Sequence, residues 1–557
     1  MAASWGAVDI DWRIIPLLIF GWYLLLKRWE RDGVLDRWNA TRVFGFVLMV
    51  RTKKGLDLLE KVAKPRRFWR IYGEISLWVC TFAMFLVALV VVLAFVGALL
   101  SPPDVDPPSA SELVAIPGIN PVIPLWWGLI GFIVALVIHE FGHGLLARGH
   151  GMRIRSFGLL QLGPLPLGAF AEPEGEELFK APRRERQRMF AAGPATNLFA
   201  SLVLLILLGG IAGHFATGDQ SIHVKGIVKG EGADNAGMLP WDTIETINGT
   251  EIVGLEGFRD AMDEIKAGDW VLIGVLHDDG TRETVNATLS DKYTYYQDLG
   301  YSEEQLETLS VSPGDPFLGV EGLSSNTVGI DRIAGPLSPN YEYSTLQRTI
   351  IAPFHVVTIM IIPFEFQGVA MHPNEEAMLE ADDTWLGNLV GKEGLLLLVN
   401  LMFWLMWVNV LLGFTNLIPM VPFDGGHMFK DMVHAGLSRI RALGRKLKLW
   451  NFHPLWVDQI SRKASNLSSL GLLFILLFIL FIPYFCLANH STSALKLIED
   501  RWANMFNFTL FFTSLAPFLD VFEGWRILVL LTNNVDEFIE RHALVPIDEC
   551  PSFSCSR

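Results

Sequence analysis

The sequence predicts a polytopic α-helical membrane protein of about six to eight spans carrying one inserted α/β domain. Three observations lead there. Of 557 residues, 51% are hydrophobic and only 18% charged, and the mean hydropathy is +0.36; soluble domains carry about 25% charge. The apolar residues are blocky: segments 77–100, 121–138, 189–212, 395–412 and 467–487 contain no charged side chain. A run of about 18 such residues suffices to cross a bilayer. Between them, 215–345 breaks into short alternating runs (IHVKGIV, WVLIGVL, TVNATL) with turns at Asn248-Gly249 and Asp279-Gly280 and a helical pattern over 255–265. That is how a folded soluble insert reads.

These features exclude a cytosolic enzyme, a secreted disulfide scaffold and a disordered chain. With 44 basic against 59 acidic residues the net charge is −15, so no nucleic-acid partner is expected. Cys80 and Cys486 fall inside apolar runs and are expected to be small buried hydrophobes. Cys550 and Cys555 are expected to be free thiols in the tail. The first apolar run, 14–26, is followed by Lys27 and Arg28 without a small-residue cleavage site, so it is expected to anchor the chain.

Charge sets the expected topology. Residues 27–70 hold thirteen Lys or Arg, 148–188 eight and 427–465 eight, whereas 101–120 has none and 365–394 has Lys392 against seven acids. The positive-inside rule places the basic segments in the cytoplasm and the others outside. The run 189–212 then leads outward to 215–345. Segment 349–364 is broken by Pro353 and Pro363; if it crossed, the basic segment after 395–419 would be misplaced, so it is expected to be re-entrant or interfacial. Segment 505–531, interrupted by Asp520, Glu523 and Arg526, fits either a surface helix or a further span.

The chemistry concentrates in His139-Glu140-Phe141-Gly142-His143. On a helix, positions i and i+4 share a face, so both imidazoles can bind one Zn2+ with Glu140 beside them as general base. The motif directly follows the uncharged run 121–138, where ionisable groups are costly unless they have a role. Catalytic zinc takes three protein ligands and keeps one position open. Asp424, in Asn416-Leu-Ile-Pro-Met-Val-Pro-Phe-Asp424-Gly-Gly, closes another apolar span at a cytoplasmic end and is the candidate third. The Gly425-Gly426 pair permits close approach of main chain to metal or substrate.

Two resemblances follow. The stretch GADNAGMLPWDTIETINGTEI (232–252) resembles a PDZ domain of the bacterial protease type, which implies binding of a peptide or chain end as an added strand. HEFGH in one span, Gly193-Pro-Ala-Thr-Asn197 opening the next, and N-x-x-P-x-x-x-x-D-G-G later resemble the site-2 protease family of intramembrane zinc metalloproteases, bacterial and archaeal branch. This resemblance covers about 121–428. It implies His139, His143 and Asp424 as zinc ligands, Glu140 as catalytic base, and Asn197 and Asn416 as polar residues holding the substrate strand or the oxyanion. It also implies a membrane-dipping β-hairpin over 156–170 whose edge pairs with substrate. Among the other histidines, His150, His214, His223 and His355 are expected to be packing or surface residues, and His427 to support the metal site.

The implied activity is zinc-dependent hydrolysis of transmembrane segments of membrane-protein substrates within the cell membrane. A membrane-anchored zinc protease acting on soluble chains would need a third-ligand Glu on a soluble helix, and none stands out downstream. A PDZ-bearing scaffold would not need both motifs intact. The expected organisation is an anchor, basic loop and second span (1–120), a core with HEFGH and GPATN (121–214), and an extracytoplasmic PDZ-like domain (215–345). A re-entrant segment with an acidic loop (346–394), the NLIPMVPFDGG span (395–430) and a basic loop with C-terminal spans (431–557) complete it.

Overall fold

The computed structural model describes residues 14–100, 108–109, 111–163, 165–450 and 452–490. The expectations for 505–531, Cys550 and Cys555 lie outside the described residues, as does the side chain of Cys486. In chain order the main helices are α1 (Ile14–Arg31), α2 (Arg66–Leu100), α3 (Leu125–Gly149), α4 (Arg183–Ala212), α5 (Thr345–Thr358), α6 (Trp385–Asn416), α7 (Asp424–Leu447) and α8 (Pro454–His490). Among the described residues, six helical runs are long and apolar enough to cross a membrane: α2, α3, α4, Thr345–Glu365, α6 and the Pro454–Tyr484 part of α8. On α2, Trp78, Phe82, Phe85, Leu89 and Leu93 stand exposed at helical spacing. Such a stripe is unfavourable in water and at home in hydrocarbon.

The chain divides into two compact units. One comprises the described residues of Ile10–Ser109, Ala135–Asn197 and Leu411 onward. Its sheet has four antiparallel strands in the order β1 (Ala40–Val43), β2 (Val47–Thr52), β3 (Ile154–Leu162) and β4 (Leu165–Pro173). The expected 156–170 hairpin is therefore β3–β4. It is widened by a second hairpin from the basic segment 27–70, with Leu48 opposite Gln161 and Thr52 opposite Phe157. A short helix, Leu56–Ala63, buries Leu59 and Ala63 with Leu145, Leu146 and Ala192. The basic side chains hid this structure in the sequence, because they point outward: Arg42 reaches Glu30 at 2.6 Å and Arg148 reaches Glu60 at 2.6 Å. Segment 427–465 is likewise helical, formed by α7 and the start of α8.

The other unit comprises the described residues of Ala110–Val134 and Leu198–Val410. Its main sheet runs Arg282–Thr288, Trp270–Leu276, Thr243–Ile247, His223–Ile227 and Val320–Ser324, with Thr250–Glu251 paired to Thr243–Ile247. Val224, Ile244, Ile273 and Val275 fill its core together with Phe258 from the Gly254–Asp263 helix. The Asn248-Gly249 turn carries φ of 50° and 80°, which glycine adopts without a Cβ penalty and asparagine tolerates.

Two ties fix the following segments. Leu379–Ala381 pairs antiparallel with Phe215–Thr217, and a methyl on Gly368 would lie 2.5 Å from the Pro121 carbonyl oxygen. The run Thr345–Glu365 exposes Leu346, Ile350, Phe354, Val357, Ile361 and Phe364 along one face.

Glu375 clamps this unit. Its buried carboxylate takes Arg332 through both oxygens at 2.9 and 2.6 Å and the Ser324 hydroxyl at 2.8 Å. Removing one partner of a buried pair strands the other charge, at a cost of about 3 kcal/mol or more; because the Arg332 side chain is 20% exposed, the lower end applies. Glu375→Gln should therefore lower the melting temperature of the detergent-purified chain by several degrees, read by thermal unfolding. An unchanged melting curve would mean that the clamp does not hold the unit together.

Candidate metal centre

All six residues singled out from the sequence lie in the first unit described. α3 sets His139 and His143 one turn apart, and the two Nε2 atoms come within 3.2 Å of each other. Asp424 Oδ2 lies 3.2 Å from each. Three donor atoms thus form a triangle with equal edges of 3.2 Å. Tetrahedral zinc with bonds of about 2.0–2.1 Å requires edges of about 3.3 Å. The donor types and spacing therefore fit that ion.

Neighbouring groups prepare the donors. A carbonyl can only accept, so His143 Nδ1–H donates to Met189 O at 2.8 Å, leaving the Nε2 lone pair for a metal. His139 Nδ1 is buried without a partner among the described residues. A methyl on Gly193 would sit 2.4 Å from His143 Nε2 and 2.7 Å from His139 Nε2, so α4 can pass the two imidazoles this closely only with glycine there. In turn, a methyl on Gly142 would meet Thr196 Oγ1 at 2.5 Å and Ala192 O at 2.8 Å. The GPATN motif had drawn notice for Asn197; Gly193 was missed, although its place in the motif was the available signal.

Glu140 sits apart from the triangle. Donor atoms of His139, Glu140 and His143 fall within 4.8 Å of one another, but the closer contacts belong to Asp424. Glu140 Oε2 instead accepts the Ala171 N–H at 2.7 Å. Ala171 lies on β4, which pairs with β3 on one side, so the Glu140 carboxylate is held at the other edge of that strand.

Asp424 opens α7. The glycines after it do allow close approach, but to their own chain. Methyls at Gly425 and Gly426 would lie 2.4 Å from Leu417 O and 2.5 Å from the Met420 carbonyl carbon. The first turn of α7 thus lies flat on segment 417–421, which the Ser468 and Ser469 hydroxyls of α8 hold through Pro419 O and Val421 N, both at 3.0 Å. What the two missing side chains admit is thus the chain's own backbone at 417–421.

The two asparagines are placed differently. Asn197 is fully buried, its Nδ2 donates to Ala135 O at 3.5 Å, and its Oδ1 has no partner among the described residues. Asn416 Nδ2 donates to Leu412 O, one turn earlier in α6, at 3.0 Å. His427 stacks on Phe190 with ring centroids 4.8 Å apart. Cys80 is buried, its thiol on Ala191 O at 3.3 Å.

Two imidazoles and a carboxylate converge on one point, on and beside helices apolar enough to cross a membrane, a donor set suited to a metal ion. Comparison with known proteins agrees. The profile of peptidase family M50 matches residues 127–367 and 386–452, more than half of the chain. An uncharacterized protein of Methanocaldococcus jannaschii is 30% identical over 271 residues, covering 49% of this chain and 69% of that one. Zinc metalloprotease Rip1 of Mycolicibacterium smegmatis is 23% identical over 347 residues, covering 54% and 82%. The chain belongs to peptidase family M50, the site-2 protease family, and is a multi-pass membrane zinc metalloprotease.

Gly193→Ala should lower zinc per purified chain well below the roughly one ion expected of a three-ligand site, measured by atomic absorption. Gly210→Ala, in open space on the same helix, should retain it. Equal zinc in both variants would remove Gly193 from the site.

Proposed function

We propose that this protein hydrolyses peptide bonds within transmembrane segments of membrane-protein substrates, inside the bilayer, with His139, His143 and Asp424 as zinc ligands and Glu140 as general base. The single observation that carries this reading is the 3.2 Å donor triangle with Glu140 anchored on the edge of β4. Bound zinc supplies Lewis acidity, bringing the pKa of a coordinated water down to about 7.

The chain's own groups do the rest. A helical substrate hides its carbonyls in i to i−4 bonds, so it must be extended before attack. The outer edge of β4 offers backbone donors and acceptors to an extended strand, and Glu140 is tied to that same edge. Its carboxylate takes a proton from the attacking water and delivers it to the leaving amine, a role worth about 100- to 10,000-fold. The unpartnered Asn197 Oδ1 and the Asn416 amide are suited to hold backbone groups freed from the substrate helix, which lipid cannot satisfy.

The insert, read as a PDZ-like domain outside the cell, selects substrates by size or by taking a peptide or chain end on an edge strand. Val320–Ser324 ends its main sheet and is the candidate edge. The topology rests on the charge distribution. The pairing of Leu379–Ala381 with Phe215–Thr217 supports it: residue 380 shares a side with the start of the insert, so Thr345–Glu365 dips into or lies on the bilayer with its exposed apolar face in lipid.

Co-expression with a panel of single-span proteins tests the activity. Wild type should yield fragments that Glu140→Gln does not, while zinc content stays unchanged; fragments of equal yield from both would reject Glu140 as the base. For topology, Glu380→Cys should gain labelling by an impermeant maleimide on intact cells. Labelling only after permeabilisation would place 366–384, and with it the paired start of the insert, in the cytoplasm and overturn the topology.

A further inference from the structure

A cavity of about 500 Å³ lies beside the metal centre, between the start of α4, α7 and the start of α8. Arg183, Arg186, Lys430 and Arg462 line it, against only Asp431 and Asp458. Both carboxylates are already engaged. Arg186 meets Asp431 at 3.0 Å, and Asp458 takes Arg183 at 3.5 Å and His434 Nε2 at 2.8 Å. Among the described residues no carboxylate lies within ion-pair distance of Lys430 or Arg462. Burial and the nearby Arg462 hold the half-buried Lys430 ammonium below the usual lysine range. Two cations in one concavity, neither in an ion pair among the described residues, favour an anion, and a guanidinium with an ammonium suits the tetrahedral oxygens of a phosphate.

We propose that this cavity binds a phosphate-bearing anion through Lys430 and Arg462. Depth favours a lipid headgroup as its source, an argument that rests on the membrane placement above. Arg186 precedes the uncharged run 189–212 by three residues, and Arg462 precedes 467–487 by five. At 1.5 Å per residue these offsets are about 5 and 8 Å, the level of lipid phosphates above a hydrocarbon core.

Occupancy would be felt at the metal. The Phe190–His427 stack borders the cavity. Phe190 follows Met189, whose carbonyl orients His143, and His427 follows Asp424 by three residues. An anion here would brace α4 against α7, the two helices that position those groups.

The test uses the full chain purified in neutral detergent, with thermal unfolding as readout, so it succeeds or fails independently of proteolysis. Short-chain phosphatidylglycerol should raise the melting temperature in a saturable way, and short-chain phosphatidylcholine should have at most a weak effect. The paired substitution Lys430→Gln with Arg462→Gln should raise the half-saturating concentration at least tenfold. The charge-preserving pair Lys430→Arg with Arg462→Lys should stay within a fewfold of wild type. Arg445→Gln with Lys446→Gln, exposed on α7, removes equal charge and should leave binding intact. If the double glutamine variant does not fold, Arg462→Gln alone, at an exposed position, should weaken binding severalfold. Inorganic phosphate matching the lipid's effect would make dissolved phosphate the source; no response to phosphate would make it the headgroup. A wild type that responds to neither, glutamine variants that bind as wild type does, or equal loss in the exposed pair would overturn the proposal.

Discussion

Two imidazole nitrogens and one carboxylate oxygen, each 3.2 Å from the other two, make a cluster of donor atoms that a shared proton or a bound cation holds together. Much of the surrounding structure holds that arrangement in place. α3 provides one turn of helix, so two imidazoles share a face. α4 crosses close enough for its backbone carbonyl to orient one ring, which requires a residue without a side chain at 193. The third donor arrives on the first turn of a separate helix, seated by two glycines on the preceding segment and by two serines from α8.

The membrane character and the metal motifs were legible in the sequence because both depend on short-range pattern. Uncharged runs register in composition, and HEFGH encodes its own geometry through helical spacing. Asp424 was legible only through pairing with a distant motif. What stayed hidden was tertiary. The strand VLMVRT at 47–52 sits among basic residues, and only its partner β3, a hundred residues later, reveals it. Gly193 looks like any helical glycine until the neighbouring imidazoles are in place. The glycines after Asp424 suggested ligand contact, whereas they serve the chain's own backbone.

The second unit shows another way of stabilising a segment built of short elements. Around Glu375, groups from a strand, a helix and a short turn meet one carboxylate, and Arg332 also lies over the Phe366 ring at 4.6 Å. Trp241 stacks on His372 at 3.7 Å, and its carbonyl accepts from Asn374 at 3.2 Å. Segment 366–381 is thereby bonded to the inserted α/β fold at several points. It behaves as part of that fold rather than as a connector to α6.

The four-stranded sheet bears on how small a working fragment could be. A piece cut to the matched family region, from residue 127 to 452, would keep every donor atom and Glu140. It would lose β1 and β2, leaving β3 and β4 as an isolated hairpin, which is marginal in water without further strands. It would also lose Leu59 and Ala63 from beneath the end of α3. The strand edge that holds Glu140 would then be free to drift relative to the two imidazoles and Asp424. In this protein the amino-terminal segment is a splint: it contributes no reacting atom, yet it keeps two separately folded parts of the site in register.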